Sequence, residues 1–139
     1  MLHLIIGEKG KGKTRIILDA ANQTIKETGG TLIYIDQNNK HIYELSNRIR
    51  FVNVSDFNIT NSEMFLGFIM GLISSDHDLD KIYLDNFSIL SRSHSDSIED
   101  ILDTLSDLSE KYDVDFVLSI SITMDELPEK FHAMVDRAL

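Results

Sequence analysis

Short apolar runs alternate along the chain with stretches of helical period, which predicts an α/β fold on a mainly parallel sheet. Strands are predicted at Leu2–Ile6, Thr31–Asp36, Arg50–Val54, Lys81–Asp85 and Asp115–Ile120. Ile82-Tyr83-Leu84 and Phe116-Val117-Leu118 are continuous apolar runs, the pattern of strands covered on both faces. Helical stretches fill the gaps, the first over Arg15–Lys26. Thr60 followed by Glu63 reads as a capping box, after which Met64, Phe65, Phe68, Ile69, Leu72 and Ile73 share one face. Asp96 and Glu99 give a weaker start of the same kind, followed by the stripe Ile98, Ile101, Leu102, Leu105, Leu108 and Tyr112. Both stripes read as core. A short second helix is expected near Asn39–Asn47. The stretch Asp125–His132 is compatible with a helix, and Ala133–Leu139 with either a last strand or a frayed helix. Together these elements form a three-layer α/β/α sandwich around five or six strands.

With 139 residues, the chain fits one domain, residues 1–139, with a single core between two helical layers. Its 42% hydrophobic and 26% charged residues are ordinary for a soluble protein. No apolar run is long enough to span a bilayer, and the N-terminal apolar stretch is too short for a signal peptide. The absence of cysteine excludes disulfides and thiolate metal sites and suits a cytoplasmic protein.

Charge narrows the partners. Thirteen Lys and Arg against 23 Asp and Glu give a net charge of −10, which repels nucleic-acid phosphates. Four of the cations, Lys9, Lys11, Lys13 and Arg15, fall within or beside one glycine-rich segment. The expectation is therefore a small anionic ligand, together with a protein partner or a second copy of the chain, and no unaided binding of nucleic acid.

That segment carries the chemistry. Residues 7–14 read Gly7-Glu8-Lys9-Gly10-Lys11-Gly12-Lys13-Thr14, a complete match to the phosphate-loop pattern G-x-x-x-x-G-K-[ST]. Composition alone produces such a match in about one in 200 chains of this length, and here it also stands between an apolar strand and a helix-compatible stretch. The glycines let consecutive backbone N–H groups face phosphate oxygens. Lys13 is placed for the β- and γ-phosphates of ATP or GTP, and the Thr14 hydroxyl for a magnesium ion. The helix starting near Lys13 directs its positive end at the same anion. A second carboxylate anchor for Mg²⁺ is expected at the end of a buried strand next to the first, and Asp85 fits, with Asp36 as the rival.

Other features point nowhere specific. Asp76-His77-Asp78-Leu79-Asp80 starts like a calcium loop, but Lys81 stands where glycine belongs and Phe87 where the closing Glu belongs. His3, His41, His77, His94 and His132 show no metal spacing. Asn39-Lys40 lacks the Asp of the guanine-reading motif, since Ile42 holds that position.

In the order of its parts, the chain resembles the core of RecA-like ATPases. The resemblance rests on strand, phosphate loop and helix, then Gly29-Gly30-Thr31-Leu32-Ile33-Tyr34-Ile35-Asp36, then Ile82-Tyr83-Leu84-Asp85-Asn86 and Asp115–Ser121. It implies a sheet order of 5-1-4-3-2 by strand appearance, nucleotide at the carboxyl ends of the strands, and Ser119 or Ser121 facing the γ-phosphate. Where such ATPases carry a water-orienting Glu, this chain has Asn38, leaving Asp36 or Glu44 as weak candidates for a base. The DNA-binding loops and further strands of a full recombinase are expected to be missing or minimal. Arg92 and Arg137 are candidate arginine fingers. The expected function is that of a slow or partner-dependent ATPase or nucleotide switch. A small-molecule kinase and a non-catalytic, nucleotide-stabilised interaction module are the alternatives.

Overall fold

The computed structural model describes residues 1–87 and 98–139. Its centre is a six-stranded sheet in which every pairing is parallel. The strands are β1 (Leu2–Ile6), β2 (Thr31–Asp36), β3 (Arg50–Asn53), β4 (Leu79–Leu84), β5 (Asp115–Ile120) and β6 (Val135–Ala138). Among the described residues the helices are α1 (Lys13–Thr24), α2 (Ser62–Ser75) and α3 (Ile98–Tyr112). None of them is long and apolar enough to cross a membrane.

The observed order is β3-β2-β4-β5-β1-β6, which corrects the expected 5-1-4-3-2. β5 is not an edge strand but lies between β1 and β4, while β3 takes the edge. Burial gives the reason. Phe116, Leu118, Ser119 and Ile120 on β5 are fully shielded, as are Leu32 to Ile35 on β2. Arg50 on β3 is exposed and only Val52 is buried there. Continuous burial on both faces selects central positions in a parallel sheet, and an interrupted pattern is tolerated only at the rim. As a consequence β4, which precedes Asp85, does not pair with β1.

Alternating side chains divide the core into two layers. Ile5, Leu32, Tyr34, Tyr83 and Val117 pack under Ile17, Leu18 and Ala21 of α1. Leu4, Ile6, Ile33, Ile35, Ile82, Leu84, Phe116 and Leu118 pack on the opposite face, with Phe65, Ile69, Leu72 and Ile73 of α2 and Ile101, Leu102 and Leu105 of α3. Both apolar stripes of the sequence thus serve the core, except that Met64 and Tyr112 are largely exposed.

Local differences have local causes. The cap of α2 is Asn61 rather than Thr60: the Asn61 side chain accepts from the Met64 backbone N–H at 2.8 Å, leaving the Thr60 hydroxyl on the Met64 sulfur. Near Asn39–Asn47 only a 3₁₀ turn forms, Ile42–Glu44. The C-terminal segment is resolved into 3₁₀ turns at Met124–Glu126 and Glu129–Met134, followed by β6, which pairs with β1. The proposed Asp96 cap, His94 and Arg92 lie outside the described residues.

Candidate functional site

Three glycines shape the loop between β1 and α1. Gly10 and Gly12 have φ of +87° and +94°, and a Cβ on either would meet nothing, so backbone conformation alone favours glycine there. Gly7, φ +156°, is also constrained by contact: a Cβ there would lie 3.0 Å from the Leu139 Cβ. Gly12 caps α1 without a side-chain hydrogen bond, and the first turn of α1 contains no acidic residue. The helix therefore begins with no anion of its own at its positive end, the arrangement that suits an anionic ligand.

Lys13 is buried, and its ammonium donates to the backbone oxygens of Gly7 at 2.8 Å and Glu8 at 3.0 Å. Burial lowers the Lys13 pKa, and the negative charge of Asp85 works against that shift. Thr14 is half-buried on the first turn, whereas Glu8, Lys9 and Lys11 project from the exposed loop. Arg15 turns away from the loop: its guanidinium bonds Glu44 at 3.1 Å and approaches Asp19 at 3.8 Å.

The sheet brings further polar groups to the same end. Ile35 lies opposite Leu84, and Leu84 opposite Leu118, so Asp36, Asp85 and Ser119 come next on three adjacent strands. By the two-residue period they share the face of Tyr34, Tyr83 and Val117, which is the face covered by α1. All three are buried. β5 also places Ser119 opposite Ile5 of β1. Ser119 thereby sits between the strand that feeds the glycine loop and the strand that ends at Asp85.

A hydrogen-bonded chain joins these groups. The Asn86 backbone N–H donates to Ser119 Oγ at 2.8 Å, and the Ser119 hydroxyl donates to Asp85 Oδ1 at 2.5 Å. The Tyr34 hydroxyl donates to Asp85 Oδ2 at 3.1 Å. Asn86 has φ +58°, in the left-handed region that Asn adopts more readily than most residues. Burial, followed by the charges of Asp85 and Asp36, pushes the Tyr34 phenol well above its usual range, so it remains a donor. Burial raises Asp36 to about 6; the Gln37 backbone N–H, bonded at 2.7 Å, works against that shift and the Asp85 charge reinforces it.

The remaining sequence candidates stand apart. Asn38 is exposed, and its side chain accepts from the Lys40 backbone N–H. Glu44 is exposed and bonded to His41 and Arg15, and the His41 contact is the main reason its pKa is lowered. Ser121 is exposed beyond the end of β5, and Arg137 is exposed on β6. Tyr34 is the member of this hydrogen-bonded cluster that the sequence pattern concealed, because a Tyr inside an apolar strand reads as core. Its position two residues before Asp36, on the same face, was the available signal.

Two properties bear on a metal. Among the described residues no three His, Asp or Glu side chains form a ready cation cage. Magnesium, however, keeps several waters and is usually held by one or two carboxylates together with substrate phosphates. A cavity of about 400 Å³ lies elsewhere, between the C-terminal ends of α2 and α3 beside Met70, Ile73 and Tyr112. It is lined by none of the residues at the glycine loop.

No protein-family model and no curated protein sequence matches this chain. Among solved structures it is similar to the flagellar accessory protein FlaH from Methanocaldococcus jannaschii. The TM-score is 0.61 at 15% identity, over 93% of this chain and 63% of that one. The chain thus spans less than two thirds of that neighbour, and at this identity the likeness is one of fold. The fold is RecA-like, a six-stranded parallel α/β sheet with the glycine loop at the carboxyl end of β1.

Proposed function

We propose that this chain binds a nucleoside triphosphate with magnesium, in the first instance ATP, and works as a slow or partner-dependent ATPase or nucleotide switch. The observation that carries this reading is the convergence on one sheet face of a glycine loop, the buried Lys13 at the start of α1, and the buried Asp85. In open α/β sheets ligands bind beyond the carboxyl ends of the strands, where these groups meet.

Charge and donor chemistry support the metal. Asp36 and Asp85 are two neighbouring buried carboxylates, and the one buried ammonium, Lys13, feels the charge of Asp85. When both carboxylates are ionised, this leaves an excess negative charge that a divalent cation would compensate. Thr14 Oγ1 and the Asp85 carboxylate are hard oxygen donors suited to Mg²⁺. Bound there, the ion would supply positive charge to the β- and γ-phosphate oxygens. Lys13 would exchange its bonds to the Gly7 and Glu8 carbonyls for bonds to those phosphates. The first-turn N–H groups of α1 and the loop amides would take the remaining phosphate oxygens.

Slow turnover follows from the groups available as a base. Asn38 has no basic atom, and the Glu44 carboxylate is held by His41 and Arg15. Asp36 is better placed, buried beside Asp85 with a pKa raised to about 6, a value suited to proton transfer near neutrality. It is buried, so its access to an attacking water depends on movement around Asn38 and Asn86. A protein partner or a second copy of the chain that orders those loops would couple nucleotide state to assembly.

Lys13→Ala is the direct test, read by equilibrium binding of MgATP. We expect loss of detectable binding, at least about 100-fold, since a charge-assisted contact to two phosphates disappears. Unchanged affinity would refute the assignment.

A further inference from the structure

We propose that Tyr34 and Ser119 form a pair of hydroxyl donors that fix the Asp85 carboxylate for the metal, so that Ser119 is a positioning residue and not a contact to the terminal phosphate. This rests on the nucleotide reading above and corrects the role that the resemblance to RecA-like ATPases implied for the polar residue at the end of β5.

The hydrogen-bond directions carry the inference. A serine hydroxyl has one proton to give. Ser119 Oγ already accepts the Asn86 backbone N–H at 2.8 Å, and its own proton is directed to Asp85 Oδ1 at 2.5 Å. No proton is left for a phosphate oxygen while the Asp85 bond stands. Tyr34 likewise has one proton, and Asp85 Oδ2 receives it at 3.1 Å. The two donors approach different oxygens from neighbouring strands, β2 and β5 on either side of β4, which fixes the rotation of the carboxylate plane.

Packing restricts both donors. Tyr34 and Ser119 are each fully buried. The Tyr34 ring is stacked between Phe51 at 6.3 Å and Tyr83 at 6.2 Å, so its hydroxyl has little freedom to swing away. Each carboxylate oxygen retains further lone-pair capacity after accepting one hydrogen bond. Those lone pairs are what the clamp presents to a magnesium ion or to its bound water. Outer-shell donors of this kind orient a ligand and tune its affinity for the ion.

The test is a magnesium titration at fixed ATP and again at fixed ADP, on the wild type, Tyr34→Phe, Ser119→Ala and Ser119→Thr, read by calorimetry. Tyr34→Phe and Ser119→Ala should each raise the half-saturating magnesium concentration by about 10-fold. The rise should be equal with ATP and ADP, with magnesium-free nucleotide affinity unchanged, and Ser119→Thr should restore the wild-type value. A Ser119→Ala variant that loses ATP relative to ADP, with its magnesium requirement intact, would make Ser119 a phosphate contact. An unaltered requirement in Tyr34→Phe would equally overturn the proposal. Without nucleotide, the Asp85 carboxyl ¹³C resonance should shift in both variants, and a resonance unmoved by either would contradict the clamp itself. Absence of magnesium-dependent binding in the wild type is a different failure, that of the nucleotide reading.

Discussion

Asp36 is buried at the end of β2 beside Asp85, and its carboxyl is pushed up to about 6, chiefly by burial. The folded chain therefore holds this proton more tightly than the unfolded chain, where the group titrates near 4. Stability contributed by the protonated form is present at low pH and declines as pH rises from about 4 to about 6, levelling off above that. For a rise from near 4 to about 6 the full decline is about 3 kcal/mol. Asp36→Asn cannot ionise and should lack it. Urea unfolding of both proteins at pH 4.5 and pH 7.5 checks this: the wild type should lose stability relative to the variant at the higher pH. Parallel behaviour would mean that Asp36 is solvated better than its burial implies.

Among the elements, strand position is what a pattern of apolar residues conveys least. The strands were largely legible: Leu2–Ile6, Thr31–Asp36 and Asp115–Ile120 form over the predicted residues. The glycine loop and both apolar stripes were legible as well, because their signals lie within a few consecutive residues. Sheet order depends on long-range pairing, which leaves only a burial trace in each strand. Phe116 on β5 is fully buried in the sheet interior, while Phe51 on the edge strand β3 is half-buried against Tyr34. Phe116→Ala should cost about 4 kcal/mol and Phe51→Ala less than about 2 kcal/mol by chemical denaturation. The reverse ranking would favour the order in which β5 is the edge. Caps and side-chain networks fail for a related reason. Thr60 and Asn61 are both good capping residues, and only the turn geometry decides between them. Tyr34 and Ser119 become partners of Asp85 only once β2 and β5 flank β4.

For the molecule as a whole, the order β3-β2-β4-β5-β1-β6 is what assembles the site. Inserting β5 between β1 and β4 separates the glycine loop from Asp85 by one strand, and Ser119 fills that interval. Lys13 and the glycines reach the site from β1 and α1, Asp85 from β4, and Asp36 and Tyr34 from β2. A chain with a net charge of −10 retains this one concentrated group of cations, Lys9, Lys11, Lys13 and Arg15, at or beside the loop. With that net charge, a small phosphate ligand rather than a polyanion is the anion we propose it holds. Calorimetric titration of the wild-type chain with ATP and with GTP, each with and without Mg²⁺, tests this most directly. Saturable binding at one site per chain, tightened by magnesium and stronger for ATP, is the predicted result. Heats indistinguishable from dilution for both nucleotides, with magnesium present and the protein folded, would contradict it.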